Sequence, residues 1–333
     1  NPKNMAFIDL PGNVDIAVKN DMLYADFYSD LVAIDIANPA SVSVKKIVEG
    51  VFPERYYYGF GTDRNKVIYE WVKKTETIEY DCENGRNAVN TFTTNGLLAN
   101  SADAGMAKSS GSPVGISVSL ARFALIGDYL YTVSTDDLNV ISIADPAAPA
   151  FSNKASLGNW HVETIFPFKN KLFIGSNNGM YIYGLQNPAL PNKISDFAHA
   201  RACDPVIADD NYAYITLRTG SGCLGFDNDL EIVDITNLSA PVLKKTYPMT
   251  NPHGLSKDGN LLFICDGEDG LKIFNAANPL SISLLKKLSI PDATDVIAYN
   301  NVALVIAKDG LYQYDYSNVT NIKLLSKIIV QKQ

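Results

Sequence analysis

The chain has 333 residues, of which 47% are hydrophobic and 19% are charged, and its formal net charge is −8 with an isoelectric point near 4.9. This composition excludes an intrinsically disordered chain. The acidic balance and the lack of a basic run argue against nucleic acid or an anionic membrane surface as the partner. No apolar run reaches the roughly 18 residues of a membrane span.

One pattern of short strands returns along almost the whole chain. A copy consists of an apolar strand, a polar turn, a strand of the type LYxxx, a strand of the type LVAIDI, an Asn-Pro turn and a fourth strand. The strands are β-branched or aromatic and are bounded by Asn, Asp, Gly or Pro, which is typical of β-structure. The first strands of the copies begin near Asp15, Tyr56, Arg122, Glu163, Asp204, Gly254 and Asp295.

The residue that closes the third strand marks a period near 40, which with four short strands predicts β-propeller blades. This residue is Asn38, Asp145, Asn187, Asn237, Asn278 or Asn318. Seven copies predict a single closed propeller of seven four-stranded antiparallel blades over residues 1–333, with eight blades as the alternative. The opening NPKNMAFIDLPGN matches a fourth strand, either as a ring-closing clasp or as the remnant of an eighth repeat.

The repeat also resembles a known family. LVAIDI followed by ANP, and LEIVDI followed by TN, are similar to the LVIVD-repeat propellers of bacterial surface and secreted proteins. GDYLYTVS, NPHG and GLYQYDYS are closest to a subgroup of exported lipoproteins. The resemblance implies a propeller and an exported protein, and it supplies no catalytic residues, because the recurring residues are core-facing or turn-forming.

Two departures from the repeat lie in loops. Residues 82–113 form an insertion rich in Asn, Ser, Ala and Gly, read as a long surface loop or as a lid over one face. The fifth copy carries the longer loop LRTGSGCLGFDND. Its Cys223 and the preceding Cys203 are expected on the same face of one blade, so we predict a disulfide between them, with two free thiols as the alternative. Cys265, in LLFICD, is expected to be a buried free thiol.

The third departure is a concentration of polar residues where the inner strands begin, and therefore at one mouth of the central channel. The residues predicted to bind a ligand there are His161, Glu163, Arg201, Asp204, His253, Arg122 and Asp295. The alternative is a solvated ring of charges that pair with each other. No nucleotide, zinc-protease or serine-hydrolase motif is present, so no catalytic residue, metal or cofactor is assigned. CDGEDG is too short for a calcium loop and is read as a hairpin turn.

These features favour a non-enzymatic binding scaffold for an unknown protein or glycan ligand. The alternative is an enzyme that acts on a carbohydrate or a similar polar small molecule at the channel mouth. The chain begins at Asn1 without a signal-like stretch, so we expect a removed export signal and a monomer in the periplasm or at the surface of a Gram-negative-type bacterium. Membrane association is expected only through an N-terminal lipid anchor outside this chain.

Overall fold

A computed structural model describes residues 5–53, 121–134, 136–158, 162–199, 205–219 and 228–329. These residues form six four-stranded antiparallel sheets, in each of which the strands pair in chain order. The first three sheets, blades 1 to 3, contain β1 (Ile16–Lys19), β2 (Met22–Phe27), β3 (Asp30–Asp35), β4 (Ser43–Val48), β5 (Phe123–Ile126), β6 (Tyr129–Val133), β7 (Asp137–Ser142), β8 (Ala150–Ser156), β9 (Val162–Phe168), β10 (Lys171–Ser176), β11 (Gly179–Gly184) and β12 (Asn192–Ala198).

Blades 4 to 6 follow the same order, and one short 3₁₀ helix, η1, precedes the last strand. Their elements are β13 (Val206–Ala208), β14 (Tyr212–Leu217), β15 (Asp229–Asp234), β16 (Val242–Pro248), β17 (Leu255–Asp258), β18 (Leu261–Cys265), β19 (Leu271–Asn275), β20 (Ser283–Leu288), β21 (Ala293–Tyr299), β22 (Val302–Ala307), β23 (Gly310–Asp315), η1 (Val319–Asn321) and β24 (Lys323–Ile329). None of the described segments is a helix that could cross a membrane.

The core lies between successive blades. Five clusters of buried aliphatic and aromatic side chains each join one blade to the next. The second and third strands of most blades are buried on both faces for this reason, whereas the fourth strands are mostly exposed. Burial on both faces explains why the second and third strands are continuous apolar runs rather than alternating ones.

The residue that marks the period closes an Asx turn after each third strand. Its side-chain oxygen accepts a hydrogen bond from the backbone N–H two residues later, at 3.0–3.2 Å in all six blades. Asn and Asp favour such turns because their short side chains replace a backbone acceptor. The sequence period is therefore a turn period, as the repeat predicted.

The proline carbonyls of these turns tie neighbouring blades together. Tyr24 Oη of blade 1 donates to Pro146 O of blade 2 at 2.9 Å, and Tyr131 Oη of blade 2 donates to Pro188 O of blade 3 at 2.8 Å. Tyr247 makes the same bond across the junction of blades 4 and 5. The two successive junctions from blade 1 to blade 3 thus have the same chemistry.

The prediction of seven blades, or of eight, is wrong, because six blades are found in the described residues. Blade 1 packs directly on the blade that begins at Phe123: Tyr24 and Leu31 share a cluster with Leu130 and Ile141. The prediction of seven blades had put the copy counted from Tyr56 between these two blades. That copy and the 82–113 insertion lie outside the described residues.

The opening segment is also not the predicted fourth strand. Residues 5–10 have no regular secondary structure, and blade 6 is completed by its own β24. Ile8 and Leu10 pack against the face of blade 1 that points away from blade 2, beside Val18 and Val32. The segment covers a sheet face instead of extending a sheet edge.

Candidate functional site

One equivalent position lies within two residues of the first residue of the inner strand in all six blades. In each blade, the residue at this position comes directly before the residue that pairs with the fourth residue of the second strand. Examples of this pair are Ile16 with Ala25 and Val296 with Val305. The residues at this position are Asp15, Arg122, Thr164, Pro205, Gly254 and Asp295. We call this set the mouth ring.

The structure places several of the predicted ligand residues at or beside the mouth ring. Arg122 and Asp295 are members of it, His253 precedes Gly254, and Glu163 lies at the bulge that precedes Thr164. His161, Arg201 and Asp204 lie outside the described residues, as do Cys203 and Cys223 with their predicted disulfide. Cys265 is free and fully buried, as predicted, and burial raises the pKa of its thiol.

In blade 1 the mouth carboxylates hold backbone amides. Asp26 Oδ1 accepts hydrogen bonds from Asn13 Nδ2, Val14 N and Asp15 N at 2.8–2.9 Å. Asp15 then reaches into blade 2, where its Oδ2 accepts from Arg122 N at 2.5 Å and Phe123 N at 2.9 Å. Asp15 is therefore a link between two inner strands. Burial raises the pKa of Asp15 to about 7, against the opposing effect of these amides.

Blade 5 contains a similar clamp with an added cation. Asp266 is fully buried, and its Oδ1 accepts from Thr250 N at 3.1 Å and Asn251 N at 2.7 Å. Lys272 Nζ donates to the other oxygen of Asp266. Lys272 also contacts Asp269 at 2.8 Å. Hydrogen bonds from Lys272, Lys287 and Thr250 lower the pKa of Asp269. This clamp fixes the segment that leads to His253.

The backbone of His253 is held from both sides. Its N–H donates to Cys265 O at 2.7 Å, and its carbonyl accepts from Thr216 Oγ1 of blade 4 at 2.7 Å. Burial lowers the pKa of the imidazole to about 4 and the charge of Arg218 acts in the same direction, whereas Asp266 and Asp292 oppose them. The half-buried side chain is thus a neutral imidazole at neutral pH.

Three successive blades meet at His253. Arg218 follows the second strand of blade 4, His253 precedes the first strand of blade 5, and Asp292 precedes the first strand of blade 6. Lys308 Nζ lies 2.8 Å from Asp292 Oδ2. The neutral imidazole is therefore within electrostatic reach of a cation and of a lysine-paired carboxylate, which suits a polar ligand.

The close approach of blades 5 and 6 requires a glycine in the mouth ring. Gly254 N donates to Thr294 O at 2.8 Å, and a Cβ at Gly254 would lie 1.9 Å from Asp295 Oδ1. Asp295 Oδ1 also accepts from Val296 N at 2.9 Å. Asp295 is buried, so it is part of the contact between these inner strands.

Sequence reasoning missed the clamp residues. Asp266 and Asp269 were expected in a hairpin turn and lie in one, but they also hold the segment before His253. No group of three or more metal-ligating side chains occurs in the described residues. Asp26 and Asp266 both stand near the end of a second strand that is otherwise apolar, and that interruption was the available signal.

Comparison with known proteins identifies the repeat and the fold. A family model described as the LVIVD repeat matches residues 12–49, 121–155 and 200–249. No curated protein matches the chain. Among solved structures, a periplasmic gluconolactonase of Pseudomonas aeruginosa is similar, with 11% identity, a TM-score of 0.58, and coverage of 98% of this chain and 87% of that chain.

Two further solved structures have the same kind of likeness. A protein from Lactobacillus plantarum has 11% identity and a TM-score of 0.58, over 95% of this chain and 84% of that one. A functionally unknown protein from Desulfotomaculum acetoxidans has 14% identity and a TM-score of 0.53, over 95% of this chain and 85% of that one. At these identities the likeness shows the propeller fold alone.

Proposed function

Because the chain belongs to the LVIVD-repeat family and builds β-propeller blades from that repeat, we propose that it is an exported bacterial protein that serves as a non-enzymatic binding scaffold. Its ligand site is the mouth of blades 3 to 5, around His253, with Asp292 of blade 6 beside it. The ligand is a polar, hydroxyl-rich or charged small molecule such as a glycan, or a loop of a partner protein. We expect a monomer that acts in the periplasm or at the cell surface.

The observation that carries this proposal is that the carboxylates near the mouth, Asp15, Asp26 and Asp266, accept hydrogen bonds from the protein itself. Asp15 and Asp26 accept backbone amides, and Asp266 accepts two amides and a lysine. Carboxylates held in this way position the chain and are poorly suited to exchange protons with a substrate. His253, with Arg218 and Asp292, remains as the group of side chains whose arrangement suits recognition.

The proposal is tested by screening the protein on glycan and peptide arrays and titrating each hit by calorimetry. The triple variant Glu163→Ala/Arg201→Ala/His253→Ala should weaken binding of a hit at least tenfold, since each lost polar contact is worth about 0.5–1.5 kcal/mol. The control Lys154→Ala/Lys244→Ala alters exposed fourth strands and should bind like the parent. Equal binding by the triple variant and the parent would place the ligand elsewhere.

An enzyme acting on a polar small molecule is the second candidate. The observation in its favour is the pKa of Asp15, which is raised to about 7, in the range of a general acid or base, although a role in catalysis would require Asp15 to release the amides of Arg122 and Phe123. The similar Pseudomonas aeruginosa protein is a gluconolactonase, so a sugar lactone is the first substrate to test. Proton release from gluconolactone above the uncatalysed rate, abolished in Asp15→Asn, would support an enzyme over a scaffold.

A further inference from the structure

The junction between blades 1 and 2 contains a polar pair within its apolar core. Thr132 of β6 pairs in register with Asn139 of β7, and the two residues are 0% and 1% exposed. Leu130 and Ile141, two residues away on the same strands, pack in one cluster with Tyr24 of blade 1. Side chains two residues apart point to the same face of a strand, so Thr132 and Asn139 also face blade 1.

Thr132 is a departure of blade 2 from the repeat. It is the fourth residue of its second strand, opposite Phe123, the first residue of β5. The fourth residue of the second strand is apolar in each of the other five described blades, where it is Ala25, Ile174, Ile215, Ile264 or Val305. The Thr132 hydroxyl therefore lies where the fold otherwise places hydrocarbon.

The polar pair does not satisfy its own hydrogen-bonding groups. Asn139 Nδ2 donates to Thr132 Oγ1 at 3.4 Å, beyond the usual range of roughly 2.7–3.2 Å. Asn139 Oδ1 is buried, and no described residue donates a hydrogen bond to it. A buried amide oxygen without a donor lowers the stability of a fold, and nearly all such atoms in native proteins have a partner. The pair therefore requires a donor that the described part of the chain does not supply.

Blade 1 presents a small side chain to this junction. Ala33 is fully buried and lies in one cluster with Leu130 and Ile141, which flank the polar pair on the same face. The other five described blades have a larger residue at the Ala33 position, namely Val140, Ile182, Ile232, Ile273 or Gln313. The methyl group of Ala33 fills less of the junction than these side chains would, so blade 1 leaves room for a molecule of the size of water.

We infer that one buried water molecule binds Thr132 and Asn139 and completes the junction between blades 1 and 2, apart from the proposed ligand site. Water suits the pair because it both donates and accepts hydrogen bonds. The water donates one hydrogen to Asn139 Oδ1, and its oxygen accepts the hydroxyl hydrogen of Thr132. Buried waters in globular proteins bind in this way to polar groups that the chain leaves unpaired.

Two other occupants fit the polar pair less well. A metal ion would find two neutral oxygens here, and no group of three or more His, Cys, Asp or Glu side chains suited to a metal occurs in the part of the chain that the structure describes. A larger organic molecule would have to open the core, because Thr132 and Asn139 are at most 1% exposed. Water is small enough to enter through brief local openings of the blades.

The first test is a crystal structure of the full chain at a resolution that shows ordered water. One density peak should lie about 3 Å from both Asn139 Oδ1 and Thr132 Oγ1 and should refine as water. A dry site, or density for a larger molecule, would overturn the inference.

The second test counts the water in solution. Oxygen-17 relaxation dispersion of the solvent reports water molecules that stay inside a protein for long times. Asn139→Leu/Thr132→Val keeps the shapes of the two side chains and removes their polar atoms, so the signal of one internal water should be lost. The control Ile174→Val changes the residue at the Thr132 position of blade 3 and should keep that signal. An unchanged signal in the double variant, or an equal loss in the control, would contradict the inference.

Urea unfolding of the same variants distinguishes a hydrated pair from a dry one. If the parent buried an unpaired amide oxygen, removing both polar groups would raise the urea midpoint. If water pairs with both groups, their removal takes away its hydrogen bonds and leaves the water or its space unfilled, which lowers the midpoint. We expect Asn139→Leu/Thr132→Val to unfold at a lower urea concentration than the parent, and a raised or unchanged midpoint would count against the bound water.

Discussion

The mouths of blade 1 and blade 5 share one hydrogen-bonding arrangement, but the residues that it positions have different roles. In both, a carboxylate near the end of the second strand accepts two backbone amides from the segment before the first strand. In blade 1 this segment delivers Asp15 to the amides of blade 2, and in blade 5 it delivers His253 to a junction of three blades. The clamp is structural, and the residue it presents decides what the mouth can do.

The largest effect is expected at the clamp of blade 5. Asp266→Ala removes a fully buried carboxylate and leaves Lys272 and two amides without their acceptor. Breaking such a buried pair costs about 3–5 kcal/mol. Unfolding in urea should show this loss, whereas Asp35→Ala, at an exposed turn, should cost less than about 1 kcal/mol. Equal losses would mean that the clamp is no more than a turn.

The pH dependence of stability separates the two mouths. The pKa of Asp15 is raised to about 7, so the native state holds a proton that the unfolded state has lost, and this group reduces stability as the pH rises from about 4 to 7. The pKa of His253 is lowered to about 4, so the unfolded state holds the extra proton, and stability falls as the pH falls from about 6.5 to 4.

Urea unfolding at several pH values measures both slopes. Relative to the parent, His253→Gln should lose less stability between pH 6.5 and 4, by up to about 3 kcal/mol, and Asp15→Asn should remove a slope of opposite sign. Asp15→Asn also loses a hydrogen-bond acceptor, so this variant is less stable than the parent at every pH. Only the slope of stability against pH therefore reports the pKa of Asp15. Slopes that match the parent in both variants would contradict the assignment.

A substitution at Gly254 tests the direct contact between the inner strands of blades 5 and 6, which takes the place of the Asp15 link between blades 1 and 2. Gly254→Ala puts a Cβ 1.9 Å from Asp295 Oδ1 and 2.9 Å from Asp295 Cα, so the inner strands of blades 5 and 6 must shift apart. We expect a loss of about 2 kcal/mol. Because the nearest atom is a side-chain oxygen, adding Asp295→Ser should recover part of the loss. No recovery would assign the cost to the backbone alone.

The fold followed from the sequence to the extent that turns define it. Asn38 and its equivalents marked each blade because an Asx turn depends on local residues only. The blade count failed because separation along the chain is not separation in space. The bond from Tyr24 to Pro146 and the packing of Leu31 beside Leu130 show that blades 1 and 2 are neighbours.

The sequence predicts where polar residues gather, and their roles as ligand residues stay a prediction. The convergence of inner strands follows from propeller geometry, and the structure has Arg122, His253 and Asp295 at or beside the mouth ring. Whether a polar residue there binds a ligand or a backbone amide depends on the register of neighbouring blades. That register puts Asp15 on the amides of Arg122 and Phe123, which the repeat alone does not specify.

The smallest expected effect tests whether blade 1 is joined to blade 2 as blade 4 is joined to blade 5. Tyr24→Phe and Tyr247→Phe each remove one hydroxyl that donates to a proline carbonyl of the next blade, at 2.9 Å in both cases. Tyr24→Phe should cost about 1 kcal/mol of unfolding free energy, because a single neutral hydrogen bond is lost and the ring remains. Tyr247→Phe should cost more, because the Tyr247 hydroxyl also accepts from Ile282 N at 3.1 Å. Tyr129→Phe is the control, since the structure assigns no such inter-blade bond to Tyr129 among the described residues.

The two junctions lie far apart in the sequence and share no partner, so the double variant Tyr24→Phe/Tyr247→Phe should lose the sum of the two single losses. A negligible effect of Tyr24→Phe beside a clear effect of Tyr247→Phe would show that the first junction is weaker than its geometry indicates, and the direct packing of blade 1 on blade 2 would then need another explanation.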